Sequence, residues 1–267
     1  MFIFVLKYMN ADIQHIVVIE SLAPGEARTG TELYTDTIER YQALHVARSA
    51  IRSIDFYEVA TRQELLSVLD DLLGRAGQLQ QGLVIHLEMH GSKALDGLVT
   101  AKNELVTWHE LIEKFRLLNI AIANELYITM ATCFGRYLFE AVQPELKSPY
   151  RGYISASQSV SVEEVMDGFT DVYERLITDG NLIRSYLASD AERSRFFYKD
   201  SEETFRQLMD LTFDRMMNDP TYKNEILDHS MLRQAYDSGF LPDEVLNAMM
   251  HDAFINIYDR HKQAFEF

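Results

Sequence analysis

"ELYITMATCFG", residues 125–135, joins an apolar, β-branched run to the one cysteine in a chain of 267 residues. Leu126–Ala131 has the length and composition of a strand, and Cys133 and Gly135 follow it closely. A second stretch has the same form: in "GLVIHLEMHGS", residues 82–92, a strand predicted over Gly82–Met89 runs directly into His90 and Gly91. Working outward, further strands are predicted at Ile16–Leu22, Ser53–Ala60 and Tyr153–Ser157. Helical patterns fill the gaps. "TRQELLSVLDDLL" opens with Thr61 and repeats Leu65, Leu66, Leu69, Leu72 and Leu73 at helical spacing. "TWHELIEKF" carries a capping box, with Thr107 accepting from a first-turn amide while Glu110 reaches back. "SVEEVMDGFTDVYERLITDG" repeats the box at Ser161 and Glu164, presents Val165, Phe169, Val172, Tyr173 and Leu176 as one stripe, and ends on Gly180. Strands alternating with helices predict an α/β fold of stacked βαβ units around a mostly parallel sheet.

The texture changes after Gly180. Eleven of the 12 glycines precede Asn181, so the last third lacks the turn chemistry of strands and is predicted to be helical. Helices are expected at Ala191–Asn218, Tyr222–Tyr236 and Pro242–Ala264, with Pro220 as a break. The organisation predicted is an α/β domain over 1–180 and an all-helical extension over 181–267.

A formal charge of −16 argues against nucleic acid as a partner, because a phosphate backbone is held by clustered lysine and arginine. One cysteine excludes an internal disulfide. "MFIFVL" at the start is too short to span a bilayer and has no basic flank, and Met9 offers a second start, so a cytoplasmic protein without a membrane partner is expected.

The chemistry suggested is that of a thiol and an imidazole. In open parallel sheets reactive groups gather beyond the carboxyl ends of strands, where neighbouring strands would present His90 and Cys133 side by side. The imidazole can take the thiol proton, and the backbone amides of Gly91 and Cys133 are the candidate donors to an oxyanion. Glycine after the histidine lets a substrate backbone approach closely. A small, buried, structural cysteine is the alternative. No metal or cofactor is expected. His86 and His90 are four apart, but the zinc-peptidase pattern needs a helix and a glutamate directly after the first histidine. "APGEARTG", the nearest approach to a phosphate loop, lacks its spacing and lysine, which argues against a flavodoxin-like binding domain.

These motifs resemble those of the caspase-like cysteine peptidases, the group containing caspases, metacaspases, separase and the bacterial CHAT proteases. "ATCFG" matches the caspase pattern at Cys133 and Gly135 with His90 upstream, departs from it at Ala131, Thr132 and Phe134, and fits the looser CHAT form better. "DGLVTAKNELVTWHELIEKF" is similar to the family's glycine turn, short strands and helix between the catalytic residues, and "YRGYISASQSVSVEEVMDGFTDVYERLITDG" to the strand and long helix after the cysteine. The resemblance covers about residues 16–180 and implies a caspase-like three-layer sandwich, a His90–Cys133 dyad with an oxyanion hole at Gly91 and Cys133, and cleavage of a protein or peptide through a thioester. It implies substrate contacts from Arg28, in a segment similar to the caspase Arg-x-Gly, and from Ser155 and Ser157. By analogy with relatives it also implies a regulated bacterial pathway of stress, defence or cell death, with the helical extension covering the site or docking a regulatory protein. A catalytically silent module on the same fold is the alternative from another class.

Overall fold

The computed structural model describes residues 11–189, 195–228 and 232–267. "MFIFVL", Met9 and the first residues of the helix expected from Ala191 lie outside them. Among the described residues one eight-stranded sheet forms, with the order β2-β1-β3-β6-β7-β8 and a β4–β5 hairpin growing from the end of β3. The strands are β1 (His15–Ser21), β2 (Ser53–Glu58), β3 (Leu83–Gly91), β4 (Gly97–Val99), β5 (Leu105–Thr107), β6 (Leu126–Ala131), β7 (Gly152–Ala156) and β8 (Phe196–Asp200). Pairing is parallel from β2 through to β7; β8 is antiparallel to β7, and β4 is antiparallel to both β3 and β5. This is the α/β sandwich with a mostly parallel central sheet that the strand–helix alternation predicts. β1, β3 and β6 are buried over nearly their whole length, because helices cover both faces of a parallel sheet.

One helical layer contains a segment over residues 29–45 (α1), whose middle, Leu33–Glu39, is wound as a π-helix. α4 (Val162–Asp179) packs on it, and α5 (Leu182–Ala188) packs on α4. The other layer pairs α2 (Arg62–Gly74) with α3 (Trp108–Ala121). The sequence signals for these helices are realised atom by atom. Thr107 and Ser161 accept from the Glu110 and Glu164 amides, each glutamate accepts the cap residue's own amide, and Thr61 forms a third such box with Glu64. Gly180 closes α4 at φ +74, in the left-handed region glycine adopts without strain. The α4 stripe Val165, Phe169, Val172, Tyr173 and Leu176 is buried against the sheet. Each such side chain contributes about 1.5–3 kcal/mol of transfer free energy.

The expectation that everything after Gly180 is helical is corrected by β8. "FFYKD" joins the sheet because the outer side of β7 offers unpaired amides and carbonyls, and aromatic residues suit a pleated surface. The glycine count failed because Arg195 itself takes the left-handed turn, at φ +65. One compact unit accordingly comprises residues up to Val142 with Ser148–Ser201. The other comprises Gln143–Lys147 and Glu202–Phe267. From Ser201 onward run α6 (Ser201–Asn218), α7 (Pro220–Asp228), α8 (Arg233–Asp237) and α9 (Asp243–Phe265), with Met216, Leu227, Leu246 and Met250 forming a small core. No helix among the described residues is long and apolar enough to cross a membrane.

Candidate active site

The strand order reverses between β1 and β3, since β2 flanks β1 on one side and β3 on the other. Crevices open beyond the carboxyl ends of strands at such a switch point. A cleft of about 290 Å³ lies there, lined by Leu22 and Glu26 after β1, by His90 at the end of β3 and by Cys133 after β6.

Register explains why these residues meet. β3 and β6 are paired up to Glu88 opposite Ala131, and His90 and Cys133 each lie two residues further on. Side chains alternate with period two, so both share the face of Glu88 and Ala131. That face is the one beneath α4: two residues earlier on each strand His86 Nδ1 meets Thr129 Oγ1 at 2.9 Å, and the His86 ring packs edge-on to Phe169. Four strand residues span about 13 Å, so His86 and His90 do not converge on one point.

Gly91 locks the two strand ends together. A Cβ at this position would stand 1.8 Å from the Cys133 carbonyl oxygen, so only a bare Cα permits the approach. β3 leaves the parallel ladder here and pairs His90 with Val99 and Gly91 with Leu98. The Ser92 amide donates to the Gly97 carbonyl at 2.9 Å, which sets the phase of the hairpin and puts Gly91 on an alternate rung, its N–H turned away from β4. The Cys133 amide has no backbone acceptor among the described residues, whereas that of Phe134 donates to the Gln158 carbonyl at 3.3 Å. Phe134 turns the chain through the left-handed region, φ +60 and ψ +19, at a cost on the order of 1–2 kcal/mol. Gly135 completes the turn, because a Cβ would come within 2.6 Å of Thr132 Oγ1.

Glu26 orients the imidazole. His90 Nε2 donates to Glu26 Oε1 at 2.9 Å, while Glu26 Oε2 accepts the Ala23 amide at 2.7 Å. The hydrogen bond from His90 is the chief cause holding the Glu26 carboxyl below its ordinary value, with the Ala23 amide second. With its hydrogen on Nε2, neutral His90 keeps the Nδ1 lone pair as the base. No hydrogen bond joins the ring to Cys133 among the described residues, and the thiol is half-buried in the cleft wall. Catalytic hydrogen bonds commonly tighten only when substrate is bound.

Beneath the cleft a polar chain crosses the buried face. Tyr173 Oη meets Thr129 Oγ1 at 2.8 Å, Thr129 meets His86 Nδ1, and His86 Nε2 meets Glu88 Oε2 at 3.3 Å. Burial pushes the Tyr173 hydroxyl up, so it stays protonated and donates. The hydrogens then run in one direction: Tyr173 to Thr129, Thr129 to His86, His86 to Glu88. The reverse would leave the tyrosine hydrogen without an acceptor among the described residues.

Arg28, Ser155 and Ser157, expected to contact substrate, are not among the cleft-lining residues. Arg28 is taken up by two carboxylates: Nη2 lies 2.5 Å from Glu20 and 2.8 Å from Glu58. Ser155 is buried in β7, and Ser157 is exposed beyond that strand's end. Two carboxylates that the dyad motifs do not include, Glu26 and Glu88, also line the cleft. Period two places Glu88 on the His90 face, a signal that was there to read; Glu26, 64 residues from His90, gives none. No protein-family model matches the chain, and no curated protein matches it.

Proposed function

We propose that the chain is a cysteine endopeptidase of the caspase-like type, with Cys133 as nucleophile, His90 as general base and acid, and the amides of Gly91 and Cys133 as the oxyanion donors. His90 Nδ1 takes the Cys133 proton, and sulfur attacks the scissile carbonyl carbon. The tetrahedral oxyanion is met by the two amides. Its collapse breaks the C–N bond, and the imidazolium returns the proton to the departing amine. The thioester is then hydrolysed by a water whose proton passes to His90, releasing the acid and restoring the thiol. Glu26 favours the imidazolium stage by its charge and fixes the ring by its hydrogen bond.

The observation that carries this reading is the contact of Gly91 with the Cys133 backbone, which puts the two chemistry-bearing strand ends side by side in one cleft. As the chain has one thiol, iodoacetamide reports on Cys133 alone. The expected result is labelling that slows in His90→Ala, together with cleavage in a peptide library that is absent in Cys133→Ala. Equal, slow labelling in wild type and His90→Ala, with no peptide cleaved, returns the fold to a silent interaction module.

A further inference from the structure

Three neighbouring strands carry a glutamate at one level of the sheet: Glu20 is in register with Glu58 on one side and Glu88 on the other. They are unequally partnered. Glu20, fully buried, accepts from Arg28 Nε at 2.6 Å and from the Thr31 amide and hydroxyl, each at 3.0 Å. Arg28 also serves Glu58. Glu88 is 4% exposed and receives one hydrogen bond, from His86. Its Oε1 has no donor among the described residues, although a carboxylate offers about four acceptor sites. No lysine or arginine lines the cleft to which Glu88 belongs. The residual exposure of the Glu88 side chain opens into the cleft, and a carboxylate with so little water around it gains from a cation or further donors that reach it there.

We propose that the base of the cleft is a cation-binding subsite, in which Glu88 receives the guanidinium or ammonium of an arginine or lysine side chain whose carbonyl lies at Cys133. The identity of that ligand as the residue before the cut rests on the peptidase reading. Dimensions agree with it. Glu88 lies two strand residues below the level of His90 and Cys133, about 7 Å, which an extended arginine or lysine side chain spans. Leu22, Val160, Val162 and Val165 give apolar walls for the stem of such a side chain. The volume of about 290 Å³ suits one side chain rather than a drug-sized ligand, whose pockets start at roughly 300 Å³. The Tyr173–Thr129–His86 chain holds the carboxylate in place, and the amide of Thr31 at the start of α1 is spent on Glu20, leaving Glu88 without that competing donor. Glu26 adds a second negative charge among the lining residues.

The test compares fluorogenic peptides that differ only in the residue before the cut: arginine, lysine, citrulline, aspartate or leucine. In parallel, agmatine and butylurea, a urea that carries no amine and no charge, are tried for protection of Cys133 from iodoacetamide, which needs no turnover. The expected result is cleavage after arginine and lysine faster than after citrulline by about 10- to 150-fold, with protection by agmatine and none by the urea. Glu88→Gln, which can still accept from His86, should abolish both the preference for a charged residue and the protection by agmatine, with thermal unfolding confirming that the variant folds. Citrulline processed as well as arginine, or agmatine without protection, overturns the subsite. Agmatine protection with no peptide cleaved supports the subsite and sinks the peptidase reading, while cleavage indifferent to charge does the reverse.

Discussion

Substituting Gly91 by alanine tests the geometry on which the site depends. The added Cβ would stand 1.8 Å from the Cys133 carbonyl oxygen, where ordinary contact begins at 3.4 Å, so the two backbones must part by 3.4 − 1.8 = 1.6 Å. Forcing a group of that size into a packed contact costs about 1–3 kcal/mol. At about 2–4 °C per kcal/mol for a chain of this size, the melting temperature should fall by about 2–12 °C. The larger effect is expected in chemistry, because a displacement of about 1 Å at a reacting group costs on the order of 100-fold in rate. Thermal unfolding and peptide hydrolysis are measured beside Gly74→Ala, a helix-end glycine whose added methyl would meet nothing within 4 Å, which should be neutral or slightly stabilising. A Gly91→Ala protein that melts within about 1 °C of wild type and keeps full activity would refute the close approach and the dyad built on it.

Two further outcomes follow from charged groups. Glu26→Gln removes the charge beside His90 and should lower kcat, not KM, by at most about fivefold, since both side chains are largely exposed and such pairs contribute about 0.2–1 kcal/mol. Because the Glu26 carboxyl lies below its ordinary value, the difference between the two proteins should persist at neutral pH and vanish as acid protonates Glu26, with a pH–rate profile as the readout. Glu110 is held at about 2, against an ordinary 4.5, first by Arg62 and then by its hydrogen bonds to Thr107. Its folded-state value is depressed, so its contribution is complete above pH 4.5 and is lost between 4.5 and about 2. Glu110→Gln should cost about 1–2 kcal/mol at neutral pH, a cap plus a partly exposed ion pair, with denaturant curves converging on wild type at the acid end.

The parallel core was legible because its signals are local. Apolar runs fixed β1, β3 and β6 to within two residues, and the Thr107 and Ser161 boxes marked helix starts, since a cap and its partner are three residues apart. His90 and Cys133 were readable as strand-end residues for the same reason, and register did the rest. What escaped depends on contacts distant in sequence. β8 is a strand because β7 has an open edge, a fact absent from "FFYKD" itself. Arg28, in a segment similar to the caspase Arg-x-Gly, reads as a substrate contact until Glu20 and Glu58 appear on adjacent strands at the same height.

The hairpin that grows from β3 carries a mechanical consequence. His90 belongs to it, and it is moored at three points: the Ala101 amide to Ser21 Oγ at 2.9 Å, the Lys102 amide to the Ala60 carbonyl at 2.9 Å, and Glu104 to the Arg62 amide at 2.7 Å. The imidazole therefore sits on a bracket bolted to the far ends of β1 and β2, so that slackening a bolt tilts the ring while the cleft's own residues stay unaltered.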